Sequence, residues 1–291
     1  MTSTADTPYT CKRREIAVIY RLLYFAMLLA VTQVNANGLL EDIRQHYLPT
    51  EYETLLVGDE DVPVFTATPT TPLSRGVALI FLDSGQQGLT LSNAQRLATQ
   101  LNQRGWHTRI LPSDTVQWQM RTLDLSATAN ALHPRASNPT YVADFTASES
   151  ALTLWVKAAF ASTADIAGFR LVISQGMTGA QLIGLTAKEI IPKADSLVFL
   201  DAYWPEEDIN AELTDNIAHL DIPVMDLHTT PVYRQTSPLS ARQRAVNKTL
   251  KLYYRQKHLA VMSYLSADHN TSALAATLDK EIYGWTSYLG W

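Results

Sequence analysis

Short apolar runs alternate with amphipathic segments along most of the chain. Val77-Ala78-Leu79-Ile80-Phe81-Leu82 is apolar at every position, as a strand buried on both faces of a parallel sheet requires. Arg170–Ile173, Ser196–Leu200, Pro223–Leu227 and Leu259–Leu265 repeat the pattern, and His107–Leu111 reads as a further strand. Glu53–Val57 and Val62–Thr68 predict a leading pair of strands around Gly58-Asp59. Between the runs, apolar residues fall at helical spacing. Ala94, Leu97, Ala98 and Leu101 share one face of a helix over Asn93–Arg104, stopped by Gly105. Ala151, Leu154, Trp155, Ala158 and Ala159 do the same for Thr146–Phe160. Further helices are predicted over Thr178–Ile190, Ala241–Tyr254 and Ser272–Leu289. Residues 112–142, with three prolines, read as a long irregular excursion. Strands and helices in alternation predict an α/β fold: a mostly parallel central sheet with right-handed crossovers and helices on both faces.

The first 36 residues do not fit that alternation. Cys11-Lys12-Arg13-Arg14 is a basic cluster, Leu22–Val31 is a ten-residue apolar run, and Val34-Asn35-Ala36 places small residues at the spacing of a signal-peptidase site. This is the layout of a secretory signal, and the run is shorter than the roughly 20 residues of a membrane-spanning helix. The expectation is a signal over residues 1–36 and a single domain over 37–291 in the periplasm or outside the cell. An uncleaved signal anchored in the inner membrane is the alternative.

Composition then narrows the function. The chain has 291 residues, 46% hydrophobic and 18% charged, which excludes a disordered or fibrous protein. Net charge is −5; the leader carries Lys12, Arg13, Arg14 and Arg21 against Asp6 and Glu15, so the remainder stands near −7. An acidic domain gives nucleic acid no general attraction. The one cysteine, Cys11, lies in the leader, so neither an internal disulfide nor a cysteine metal cluster is expected. The seven histidines form no ligand-spaced pair, no phosphate-binding glycine loop follows a strand, and neither metal nor cofactor is expected. The remaining partners are an unidentified small molecule or a periplasmic protein. Arg242-Gln243-Arg244 and Lys248…Lys251 read as a solvated basic face, and Trp285 and Trp291 as packing residues.

The most informative turn follows Ile173. Ser174-Gln175-Gly176-Met177-Thr178-Gly179-Ala180 links a strand to a helix, where α/β hydrolases carry the nucleophile elbow G-x-S-x-G. In that frame Ser174 stands at the first glycine, Gly176 in the serine slot, and Thr178 at the last glycine. Glycine suits the strained backbone of the elbow but supplies no nucleophile. Ser174 and Thr178 are each two residues away; Ser174 also reads as a strand end and Thr178 as a helix cap. His269, in Ser266-Ala267-Asp268-His269-Asn270, occupies the loop where the fold places its histidine. Asp226, within its strand, and Asp201, at the end of the preceding one, are alternative carboxylates to orient it. The loop Asp83-Ser84-Gly85 stands where an oxyanion site forms; with Gly176, Met177 and Thr178 it lines the expected ligand cleft. Ser84 is a second candidate hydroxyl. Asp83 opposes an anionic intermediate if its carboxylate faces the site.

These stretches resemble a bacterial family, domain of unknown function 3530, of the α/β-hydrolase superfamily. The resemblance rests on Val77–Gly88, Val172–Ala180, Leu220–Leu227, Tyr254-Arg255-Gln256 and Ile282-Tyr283-Gly284-Trp285. It implies an exported α/β-hydrolase-like protein, often with a glycine-rich elbow lacking serine, and brings no activity with it. Thr178 departs from the glycine pattern. Two functions follow: a non-catalytic protein binding a ligand or partner in the former active-site cleft, or a hydrolase using a relocated hydroxyl (Ser174 or Ser84) with His269.

Overall fold

Strand β3 (Gly76–Phe81) is fully buried along its length, and its alternate side chains enter two separate cores. Val77, Leu79 and Phe81 belong to one core, Ala78 and Ile80 to the other. A strand apolar on both faces is stable only between two layers of helix, and the chain supplies both. We describe the protein from a computed structural model covering residues 38–83, 89–113, 115–121, 140–229, 239–260 and 271–291. Leu39–Trp291 forms one compact unit.

The chain order begins α1 (Gly38–His46), β1 (Glu53–Val57), β2 (Glu60–Ala67), β3, α2 (Leu91–Gln103) and β4 (Trp106–Leu111). Next come the hairpin strands β5 (Gln117–Arg121) and β6 (Thr140–Asp144), then α3 (Phe145–Ala161), β7 (Phe169–Gln175) and α4 (Gly176–Ala187). The remainder is β8 (Ser196–Leu200), α5 (Glu207–His219), β9 (Val224–His228), α6 (Leu239–Thr249), β10 (Tyr254–His258) and α7 (Thr271–Tyr288). The main sheet has eight strands in the order β1-β2-β4-β3-β7-β8-β9-β10. Pairs β1–β2 and β2–β4 are antiparallel; all others are parallel. Leu152, Trp155 and Val156 of α3, Ala180 and Ile183 of α4 and Leu213 and Ile217 of α5 fill the first core. Leu97 and Leu101 of α2 and Leu274, Leu278 and Trp285 of α7 fill the second. Trp285 is fully buried and its indole N–H donates to Ser196 Oγ at 2.9 Å, the packing role its apolar neighbours predict.

The sequence pattern erred at the end of α6. The predicted helix over Ala241–Tyr254 stops at Thr249, where Leu250 turns left-handed (φ 56°). The last strand is therefore Tyr254–His258, not Leu259–Leu265. Tyr-Arg-Gln-Lys-His is polar because β10 is the sheet edge, so it carries no apolar run to mark it. Leu259 and Ala260 follow the strand, and 261–265 lie outside the described residues. Helices α1 and α5 and the β5–β6 hairpin inside the supposed excursion also went unpredicted. Arg242 is fully buried rather than solvated.

Candidate functional site

The parallel strands end on one rim, and most candidate residues sit there: Asp83 after β3, Gly176 after β7, Asp201 after β8 and His228 at the end of β9, with Asp226 two residues earlier in that strand. Ligands of open α/β sheets bind beyond these carboxyl ends. At the elbow no loop separates β7 from α4: Gln175 closes the strand and Gly176 opens the helix. Such a sharp reversal needs a left-handed residue, and Gly176 has φ 57°. The helix thus starts two residues before the predicted Thr178.

Gly176 is required for a second reason. A Cβ placed on it would meet Asp83 Oδ2 at 2.3 Å, and the next nearest heavy atoms are also those of Asp83. The carboxylate fills the volume that a serine side chain would need. Asp83 is held there by Thr178, whose hydroxyl and backbone N–H donate to Oδ1 at 3.0 and 3.4 Å. Gln175, the residue before the helix, makes no side-chain capping bond to α4. Asp83 therefore caps α4 from another strand, where the helix dipole favours a carboxylate. Gln175 instead accepts from the backbone N–H of Leu89. The expected cleft residues Asp83, Gly176, Met177 and Thr178 do come together, with the last three buried. Ser84 and Gly85 lie outside the described residues, as does His269.

A tetrahedral intermediate would place an oxyanion near the start of α4, beside the Asp83 carboxylate. Two negative charges about 4 Å apart repel by about 4 kcal/mol at an effective dielectric of 20, or roughly a thousandfold in rate. Ser174 ends up buried in β7, with Oγ 3.3 Å from the position of a Cβ on Gly179.

The two candidate acids differ in setting. Asp201 has a left-handed backbone (φ 49°) and accepts from Thr229 N–H at 3.0 Å and Thr229 Oγ1 at 2.5 Å. Non-glycine residues in that region store strain and gather at functional turns. Asp226 is completely buried in a polar cluster. Arg242 lies 3.1 and 3.3 Å from its two oxygens, Tyr254 donates its hydroxyl at 2.8 Å, and Gln256 donates at 3.3 Å. His228 Nε2 is 2.9 Å away but poorly aligned. Burial pushes the Asp226 carboxyl up; the Arg242 charge and the His228 and Tyr254 contacts outweigh this and hold it at about 2. Burial and the Asp226 charge push the Tyr254 hydroxyl far above its ordinary value, so it remains a donor. Arg242 also donates to Ala202 O at 2.5 Å, tying α6 to the turn after β8.

Sequence reasoning missed His228, which is buried between Asp226 and Asp201, its Nδ1 3.9 Å from Asp201 Oδ1. It also missed the charge pair Asp226–Arg242. A signal existed for Arg242, which shares a helix face with Ala245, Val246 and Thr249. No group of three or more His, Cys, Asp or Glu suited to a metal occurs among the described residues.

Fold and site geometry together define an α/β-hydrolase fold in which Gly176 opens the helix directly after β7. The chain belongs to the family described as Protein of unknown function (DUF3530), whose profile matches residues 35–287. No curated protein matches it in sequence. Among solved structures it resembles Est1E from Butyrivibrio proteoclasticus, with a TM-score of 0.51 and 12% identity, covering 81% of this chain and 99% of that one. A thermophilic esterase from Thermogutta terrifontis, Est2 with propionate bound, gives 0.51 and 11% over 82% and 95% of the two chains. At such identities the likeness is one of fold.

Proposed function

We propose that this is an exported α/β-hydrolase-fold protein that binds a small molecule or a periplasmic partner in the former active-site cleft without hydrolysing it. The observation that carries the reading is Asp83 in the serine volume of a left-handed Gly176. The slot lacks a nucleophile, and a carboxylate faces the place where negative charge would build. On this reading Asp83, Gly176, Met177 and Thr178 line the cleft; Ser84 and Gly85, expected beside them, lie outside the described residues.

Export is supported by the basic cluster, the short apolar run and Ala36, and by a family match that begins at residue 35. Among the described residues no helix is long and apolar enough to cross a membrane. The domain reading is a leader over 1–36 and a single domain over 37–291. The burial of Ser174 weighs against its use as a relocated nucleophile.

The test is turnover of a short-chain nitrophenyl ester by the purified protein and its His269→Ala variant. The reading expects background hydrolysis from both. Turnover that Ser174→Ala or Ser84→Ala abolishes and His269→Ala lowers would overturn it.

A further inference from the structure

At the opposite rim, where the strands begin, the turn joining α6 to β10 exposes its largest apolar side chains. Leu250 and Leu252 are 80% and 82% exposed, and Tyr253 and Tyr288 about half. Tyr253 and Tyr288 have ring centroids 6.3 Å apart, so the turn and the end of α7 form one patch. Leu250 also occupies the position after a helix where glycine is usual: the N–H of Lys251 bonds back to Val246 O at 3.3 Å while Leu250 is left-handed. A bulky apolar residue is thus held in strained backbone and in water, which folding alone does not favour.

The patch is basic in an acidic protein. Residues 239–260 contain no aspartate or glutamate and, besides the buried Arg242, the cations Arg244, Lys248, Lys251, Arg255 and Lys257, in a chain of net charge −5. Arg244 and Lys248 are exposed and have no partner among the described residues. The Arg255 guanidinium lies 5.0 Å from the Tyr288 ring and 5.2 Å from that of Trp285. Lys251 directs its ammonium to the carbonyls of Leu220 and Ile222, and Lys257 bonds Glu281. Asp221, the nearby acid, is engaged by Lys193.

We propose that this rim docks on an anionic lipid bilayer, with Leu250 and Leu252 entering the headgroup boundary and Arg244, Lys248 and Arg255 facing lipid phosphates. Protruding leucines, tyrosines at the level of the cations and a basic flank suit an interface that deforms around them. A second copy fits poorly, because twofold contact would bring the same cations together. Docking here leaves the cleft rim turned away from the membrane.

The test uses the full chain with Cys11→Ser and a single new cysteine, Leu252→Cys, carrying an environment-sensitive fluorophore. Asp59→Cys, in the β1–β2 turn at the cleft end, is the control; it reads only its own surroundings whatever the leader does. The proposal expects a blue shift at position 252 with equimolar phosphatidylglycerol–phosphatidylcholine vesicles, none with phosphatidylcholine alone, and none at position 59. Arg244→Glu with Lys248→Glu should weaken the lipid dependence by about 25-fold, roughly fivefold for each lost cation. Four results would overturn the proposal: no shift on anionic vesicles, equal shifts at both positions, a lipid-free shift that grows with protein concentration, or an equal shift with polyglutamate.

Discussion

Replacing Gly176 by alanine adds one carbon at the most crowded point of the elbow. An alanine held at φ 57° costs about 1–2 kcal/mol from backbone sterics. The new Cβ would also lie 2.3 Å from Asp83 Oδ2, so the carboxylate has to swing away. That movement breaks its bond to the Thr178 hydroxyl and uncaps α4, for about 1.5–3 kcal/mol more, the range for hydrogen bonds to charged groups. Gly176→Ala should therefore cost about 3–4 kcal/mol in all. In an Asp83→Ala background the collision is gone and only the backbone strain remains. The two substitutions should then show a coupling of about 2 kcal/mol, the magnitude seen between residues in contact. Urea unfolding of the four proteins measures it: the single Gly176→Ala midpoint should fall by about 1–2 M at unchanged slope. An equal cost of Gly176→Ala in both backgrounds would refute the claim that Asp83 occupies the serine volume.

Other predictions concern the charge clusters. The Asp226 carboxyl, held at about 2 against an ordinary 3.8, contributes about 2 kcal/mol of stability. That contribution is complete above pH 3.8 and is lost as pH falls toward 2; acid unfolding of Asp226→Asn should lack this step. Arg242→Met should cost about 3–5 kcal/mol in thermal unfolding, because it leaves a buried carboxylate without its cation. Its double variant with Asp226→Asn should recover part of that loss. Burial lowers Lys251 to about 8 from 10.5, against the pull of Asp221, so stability should rise as pH climbs through that window. Lys251→Met should abolish the rise.

How much could be read from the sequence depended on where each element lies. The central strands β3, β7, β8 and β9 were legible because burial on both faces leaves mostly apolar residues. The edge strand β10 was not, because one polar residue follows another where the sheet meets solvent. Helix α5 was overlooked although Ile209, Leu213 and Ile217 recur every four residues, since acidic residues crowd the same stretch. The glycine at the serine position was visible, and so was the risk that Asp83 faces the site. Its actual placement depends on bringing residue 83 against residues 176–178, a contact between distant segments that no local spacing encodes. The burial of His228 was hidden for the same reason, because a histidine reads as surface until another element covers it; that of Arg242 was signalled only by the helix face it shares with Ala245, Val246 and Thr249.

The most direct measurement of the central claim is the intact mass of the protein after exposure to a fluorophosphonate. The account predicts no adduct on the native chain. A stoichiometric adduct on the native chain, lost in Ser174→Ala or Ser84→Ala, would contradict it.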